Sequence, residues 1–277
     1  MRDYKMVFSE YANYYDLYYA EKDYAAEVEF VLELASMHGV KPKTVLDMGC
    51  GTGRHLAEFH KRGLKCDGFD LSSEMHSHAR KRLTGTGINL SQGNLIDFEN
   101  GERYDILVAL FAVMGYLTDN TQLAAGLETA RKHLEPDGIF VFDGWFGPAV
   151  LFQQPEKRRH EYTNGQDTIV REVTPHLDPV DQTVTVHYDV YAKRDGQLVK
   201  QIQEDHIMRF MFVQEMKLAM ERSGLELAYF CPFPEPNRKL TTNTWNVTFV
   251  GRRKGASNAK KRIGLMENYA AQRSKFT

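Results

Sequence analysis

Two segments carry residues spaced for chemistry. In the first, the apolar run Val45-Leu46-Asp47-Met48 opens into Gly49-Cys50-Gly51-Thr52-Gly53; in the second, Gly68-Phe69-Asp70-Leu71-Ser72, another apolar run closes on an acid. Strand, glycine turn, helix and a second strand ending on a carboxylate is the layout with which an α/β sheet holds a nucleoside, the carboxylate taking the ribose hydroxyls. The glycines at 49, 51 and 53 are closer together than in the dinucleotide fingerprint Gly-x-Gly-x-x-Gly, whose wider spacing leaves a pyrophosphate room on the helix N-terminus. Asp47 adds a negative group that repels a pyrophosphate but accommodates an ammonium or a sulfonium.

Other candidates lie further from the glycine turn, and each has two readings. Six tyrosines (Tyr11, Tyr14, Tyr15, Tyr18, Tyr19 and Tyr24) crowd the N-terminal region; Tyr15 either closes over a ligand or packs between helices. His206 either accepts a proton near neutral pH or is a hydrogen-bonded structural histidine. Arg209 either holds a substrate anion or makes a structural pair. Arg54 and His55, just after the turn, reach a cofactor carboxylate or stay on the helix surface. Lys157-Arg158-Arg159 is a solvated face unless a sugar pyrophosphate lies nearby. No cluster of His and carboxylates has ligand spacing, so no metal is expected.

The elements that must position these residues alternate. Residues 44–48, 65–70, 88–92, 104–109 and 139–142 read as strands. Residues 53–62, 73–82 and 120–133 read as helices, the last stopping at the turn Glu135-Pro136-Asp137-Gly138. Such alternation predicts a parallel sheet with right-handed crossovers, ligands binding beyond the carboxyl ends of its strands. Tyr116, Asp143 and Trp145 follow strands there. Residues 8–37 read as helices. Residues 167–173, 183–192 and 198–208 alternate with period two, with Asp195-Gly196 at a hairpin turn, which predicts an antiparallel insertion. A helix at 213–222 and strands at 225–230 and 244–251 then complete a seven-stranded α/β sheet. The expected organisation is a helical lid (1–40), a core (41–146 and 211–251), the insertion after the fifth strand (147–210) and a basic tail (252–277), weakly amphipathic around Ile263–Tyr269.

A formal net charge of −2 argues against nucleic acid or an acidic membrane as principal partner. No apolar run approaches the roughly 20 residues of a membrane span, and the charged, tyrosine-rich start is not a signal peptide, so a cytoplasmic location is expected. The three cysteines (Cys50, Cys66 and Cys231) have neither metal spacing nor a disulfide framework and read as free thiols of a reducing compartment.

The glycine turn together with Asp70 resembles motif I of the class I S-adenosylmethionine-dependent methyltransferases. The resemblance implies a Rossmann-like fold with S-adenosylmethionine as cofactor, its amino-acid part over the glycine turn and both ribose hydroxyls on Asp70. It places Asn94, of Gly93-Asn94-Leu95, beside the adenine amino group, where the family usually has an acid. It also places Leu110 and Phe111 along the cofactor, and the implied set is completed by Tyr24, Cys50, Leu71 and Leu95. The segments at 22–27, 78–83, 115–117 and 133–138 are similar to bacterial N-methyltransferases of nucleotide-linked amino sugars, the type found in macrolide deoxysugar pathways. Similarity runs from about Tyr14 to Gly251 and includes an Asp-x-His-like stretch, here Asp205-His206.

That resemblance implies in-line N-methylation of a dTDP-, UDP- or GDP-linked amino sugar. In it Tyr15 closes over the cofactor and Tyr116 lies near the reactive nitrogen, while position alone makes His206 a candidate proton acceptor and Asp143, Trp145 and Arg209 candidates for the substrate. It also suggests a homodimer through the insertion. The sulfonium methyl is already activated, so the reaction needs an aligned lone pair and a proton sink. Four alternatives stand beside it. One is methylation of glycine or another small amine, which needs one arginine in a tight pocket; a second is O-methylation of a sugar, which needs a positioned base. The others are a non-catalytic S-adenosylmethionine-binding subunit and a nicotinamide dehydrogenase, which the close glycine spacing opposes.

Overall fold

A computed structural model describes residues 7–255. The first half runs α1 (Ala12–Tyr18), α2 (Tyr24–Met37), β1 (Thr44–Met48), α3 (Arg54–Lys61), β2 (Lys65–Asp70), α4 (Ser73–Arg82), β3 (Asn89–Gln92), β4 (Tyr104–Ala109), α5 (Asn120–His133) and β5 (Leu134–Trp145). The second half runs α6 (Gly147–Gln153), β6 (Arg158–Asn164), β7 (Asp167–Asp178), β8 (Thr183–Arg194), β9 (Gln197–Arg209), α7 (Val213–Arg222), β10 (Leu225–Pro232) and β11 (Asn246–Arg253).

Seven strands form one sheet in the order β10-β11-β5-β4-β1-β2-β3. β3, β2, β1, β4 and β5 are parallel, and β11 runs antiparallel to both β5 and β10. The strand order reverses between β1 and β4, which opens a crevice at their carboxyl ends. Burial on both faces explains the unbroken apolar runs. Leu46, Met48, Phe140, Phe142 and Phe249 pack under α5 and α7, while Val45, Ile106, Val108 and Val141 pack under α2 and α3. Short side chains start the helices: Asp23 accepts from Ala26 N, Ser72 from Met75 N and Asp119 from Gln122 N, each satisfying a donor with no partner inside its helix.

The four antiparallel strands β6-β7-β8-β9 make a second sheet. Its register pairs Tyr188 with Glu204 and Val186 with His206, so Glu204 and His206, two residues apart, share a face. α1 lies on that face, Tyr11 and Tyr18 packing with Ile169, Val190, Ala192 and Ile202.

Three features depart from the expectation. β6 was not expected as a strand: Arg158–Asn164 lacks apolar alternation and β7 supplies its pairing, while Lys157, Arg158 and Arg159 are exposed as a solvated face would be. The segment 135–138 is not a simple turn before β5. Leu134 already pairs with Tyr104, and four residues bulge opposite Asp105 alone before Ile139 pairs with Ile106. α6 was not expected, its seven residues being too few to show a period. The expected amphipathic stretch at 263–269 lies outside the described residues. No helix among the described residues is long and apolar enough to cross a membrane.

Candidate active site

The glycine turn after β1 and the acid ending β2 are built into each other. Gly49 N and Cys50 N donate to Phe69 O at 2.8 and 2.9 Å. Gly51 N donates to Asp70 Oδ2 at 2.8 Å and Ser72 N to Oδ1 at 2.9 Å. One donor on each oxygen leaves Asp70 lone pairs for a ligand. Burial raises its carboxyl above the usual range against the pull of those N–H groups. Gly49 has φ +82°, and a Cβ there would lie 2.5 Å from Val113 Cγ1; only glycine fits.

Turn and acid open on a cavity of about 940 Å³, near the top of the range for one small-molecule site. Its cofactor-side wall includes Tyr24, Leu71, Asn94, Leu95, Leu110 and Phe111. Asn94 Oδ1 also accepts from Ile96 N at 3.3 Å, closing its own loop. Asp143 ends this wall and, like Asp70, takes one backbone donor on each oxygen: Phe111 N donates to Oδ1 at 2.5 Å and Ala112 N to Oδ2 at 3.1 Å. It thereby holds two residues at positive φ (72° and 60°), and burial pushes its carboxyl up to about 7. Nearby, Glu27 accepts from Lys22 and, at 2.7 Å, pairs with His55 Nε2. Burial raises the Glu27 carboxyl, and His55 and Lys22 outweigh that and hold it below its ordinary value.

The opposite wall is aromatic and comes from α1, the turn after β4 and the second sheet. Tyr15, Tyr116, Tyr188, His206 and Phe8 line it. Tyr116 Oη lies 2.8 Å from His206 Nδ1, and His206 Nε2 lies 3.2 Å from Glu204 Oε2. Tyr15 is close to Phe8 and Phe111 in edge-on contacts. Trp145 and Arg158 also border the cavity.

Most of the residues to which the sequence assigns a cofactor, substrate or proton-transfer role therefore face one space, and three of them do not line it. Gly53 begins α3 at φ +78° and packs against Leu83. Asp47 is buried behind the turn with Oδ2 unpartnered, its carboxyl pushed up to about 8 by burial and by the negative charge of Asp70. Arg209 is buried in a structural pair with Glu215, and its Nη2 donates to Asn120 Oδ1 at 2.7 Å. The sequence reading missed Glu204. It took Asp205 with His206, but Asp205 points outward to His187 Nδ1 at 2.6 Å. The alternation Glu204-x-His206 was the available signal.

Residues 45–138 match the model of the methyltransferase domain family. The dTDP-3-amino-3,4,6-trideoxy-alpha-D-glucopyranose N,N-dimethyltransferase of Streptomyces venezuelae is 30% identical over 222 residues, 79% of this chain and 92% of the relative. With that likeness and that site, the chain belongs to the class I S-adenosylmethionine-dependent methyltransferases. The dTDP-3-amino-3,6-dideoxy-alpha-D-glucopyranose N,N-dimethyltransferase of Streptomyces fradiae is 28% identical over 235 residues, covering 84% of this chain and 90% of that one. Among solved structures, Streptomyces venezuelae DesVI superposes with a TM-score of 0.73 at 26% identity, over 88% of this chain and 99% of its own.

The residues present fit the cofactor. A buried carboxyl with an unpartnered oxygen stands behind the glycine turn, where an ammonium is the natural counter-charge. Asp70 has acceptor capacity left for a diol, and Leu95, Leu110 and Phe111 offer apolar surface to a base.

Proposed function

We propose that the enzyme N-methylates the amino group of a nucleotide-linked amino sugar. S-adenosylmethionine supplies a methyl group on a sulfonium, whose leaving electron pair stays on sulfur. The chain's residues supply position and a proton sink. The glycine turn and Asp70 hold the cofactor, with Asp47 buried behind the turn; Phe111 and Ala112, fixed by Asp143, shape the passage between the two halves. Tyr15 and Trp145 bound the acceptor, and Tyr116, backed by His206, takes the proton that the nitrogen loses. Residues 1–40 act as the lid and 147–210 as the acceptor-side insertion. Leu198 and Val199, exposed on the edge strand β9, support a homodimer through that insertion.

The observation that carries this reading is the meeting, in one cavity, of a nucleoside-binding wall and a hydrogen-bonded Tyr116–His206 acceptor, with the Arg158 guanidinium at its edge. An amine needs that acceptor and no stronger base, and a guanidinium suits a sugar diphosphate. The amino-sugar specificity of the relatives points the same way. A glycine site would need an arginine inside a tight pocket; instead the cavity is large, Arg54 at its wall donates from Nη1 to Tyr19 O, Arg209 is committed to Glu215 and Arg171 to tyrosines.

The test is calorimetry and turnover with S-adenosylhomocysteine or S-adenosylmethionine and a panel of dTDP-, UDP- and GDP-linked amino sugars. Binding and methylation of at least one is expected. Binding of none, with turnover of a free amino acid, would overturn the substrate assignment.

A further inference from the structure

Glu204 ties the proton acceptor to the segment that covers it. Its carboxylate is buried on β9 and accepts from Phe8 N at 2.9 Å, Ser9 N at 3.0 Å, Ser9 Oγ at 2.9 Å and Tyr11 N at 3.3 Å. The fifth neighbour is His206 Nε2 at 3.2 Å. Burial raises the carboxyl, but these donors and His206 outweigh that and hold it below its ordinary value, so Glu204 acts as an ionised acceptor. His206 Nε2 then carries a ring proton, and in the neutral ring Nδ1 is the acceptor. Tyr116 therefore donates to Nδ1 and turns its oxygen lone pairs, not its proton, toward the cavity.

We infer that Glu204 is a positioning residue that couples closure of residues 8–11 to assembly of the Tyr116 proton acceptor through the tautomer of His206. The inference rests on the N-methylation reading. As the nitrogen lone pair forms the new N–C bond, the nitrogen is left with one proton more than the neutral product amine. That proton passes to Tyr116 Oη while the phenol's own proton passes to His206 Nδ1. The imidazolium so formed faces the Glu204 carboxylate, and its proton leaves to solvent on opening. The strap also has an anchor on the cofactor side, where Ser72 Oγ donates to Phe8 O at 2.8 Å. Lifting it strips Glu204 of four donors, so the full arrangement exists only when the site is covered. The ionisable groups around His206 are Glu204 on its own strand, Tyr116 after β4, Tyr188 on β8 and Tyr11 at the start of α1. Three are phenols with pKa values above the ordinary one because burial disfavours their anions.

Nitrogen NMR of the S-adenosylhomocysteine complex reads the His206 tautomer directly and needs no acceptor substrate. The Nε2–H form is expected in the parent and the Nδ1–H form in Glu204→Gln, whose amide can donate to Nε2. With a nucleotide-linked amino sugar, Glu204→Gln is expected to lower kcat about 100-fold, with KM and cofactor affinity nearly unchanged and faster exchange of the amides of Phe8, Ser9 and Tyr11. Tyr116→Phe should cost as much, and the double variant no more than Tyr116→Phe alone. An Nδ1–H tautomer in the parent, unchanged kcat in Glu204→Gln, or additive losses in the double variant would overturn the inference. Failure of every amino sugar as substrate, with the parent Nε2–H tautomer intact, would instead overturn the substrate reading.

Discussion

Asp47 and Asp70 end neighbouring parallel strands, yet their surroundings set them different tasks. Asp70 has one backbone donor on each oxygen and faces the cavity. Asp70→Ala is expected to weaken S-adenosylhomocysteine binding by about 1.5–3 kcal/mol, the scale of charge-assisted hydrogen bonds; calorimetry checks it, and unchanged affinity would contradict the ribose assignment. Asp47 has no donor on Oδ2, and its carboxyl is pushed up to about 8. Its folded pKa is above its unfolded one, so the folded state binds the extra proton between the two values. Stability from this group is then complete below about 4 and is lost as pH rises toward 8, by about 1.4 kcal/mol per unit. Asp47→Asn should flatten the fall in Tm of the cofactor-free enzyme between pH 6 and 8. A parallel fall in parent and variant would show that the carboxyl is ionised throughout.

At the scale of elements, α1 is fastened to the second sheet by a buried cation held among tyrosines. Arg171 on β7 is buried; its Nη1 donates to Tyr11 Oη at 3.2 Å, and its guanidinium lies 4.6 Å from the Tyr18 ring centre. Cation–π contacts of this kind contribute about 0.5–2 kcal/mol each. Arg171→Met keeps the volume but removes the charge, so amides of Ala12–Tyr18 should exchange faster in hydrogen-exchange mass spectrometry while those of β1 and β4 do not change. Arg171 was invisible in the sequence, because its partners come from α1 and β6 and no spacing within β7 points to them. The same holds for Arg209, whose fate is set by Glu215 on α7. By contrast, β1 to β5 and the glycine turn were legible, since apolar runs and glycine spacing are local properties. β6 was not: Arg158-Arg159-His160-Glu161 has the composition of a solvated face, and only pairing with β7 makes it a strand. Glu204 was half legible. Alternation put one acid of Glu204-Asp205 on the face of His206, but which face points inward is decided by packing against α1.

For the molecule as a whole, the question is which seam opens to admit the cofactor. The contacts of α1 with the second sheet are buried: the Arg171 cage and the apolar packing of Tyr11 and Tyr18. Its contacts with the cofactor loop are polar and half exposed. Asp16 takes Arg82 Nη2 at 2.6 Å and Thr52 Oγ1 at 2.8 Å. Exposed ion pairs contribute about 0–1 kcal/mol and weaken with salt, whereas the buried seam must lose apolar contact to part. Helix α1 therefore parts from the nucleoside-binding sheet, and residues 8–11, tied to that sheet where Phe8 O accepts from Ser72 Oγ, are drawn off Glu204 in the same opening. Two outcomes follow from that division. S-adenosylhomocysteine at about 100 times its Kd should stabilise the fold by about 2.7 kcal/mol, which for a chain this size raises Tm by roughly 5–11 °C; NAD at the same concentration should not. Asp16→Asn should then speed both binding and release of S-adenosylhomocysteine in stopped-flow fluorescence, with Tm of the free enzyme nearly unchanged. If Arg171→Met accelerated both rates and Asp16→Asn neither, the hinge would lie on the other side of α1, and the lid would stay with the cofactor loop.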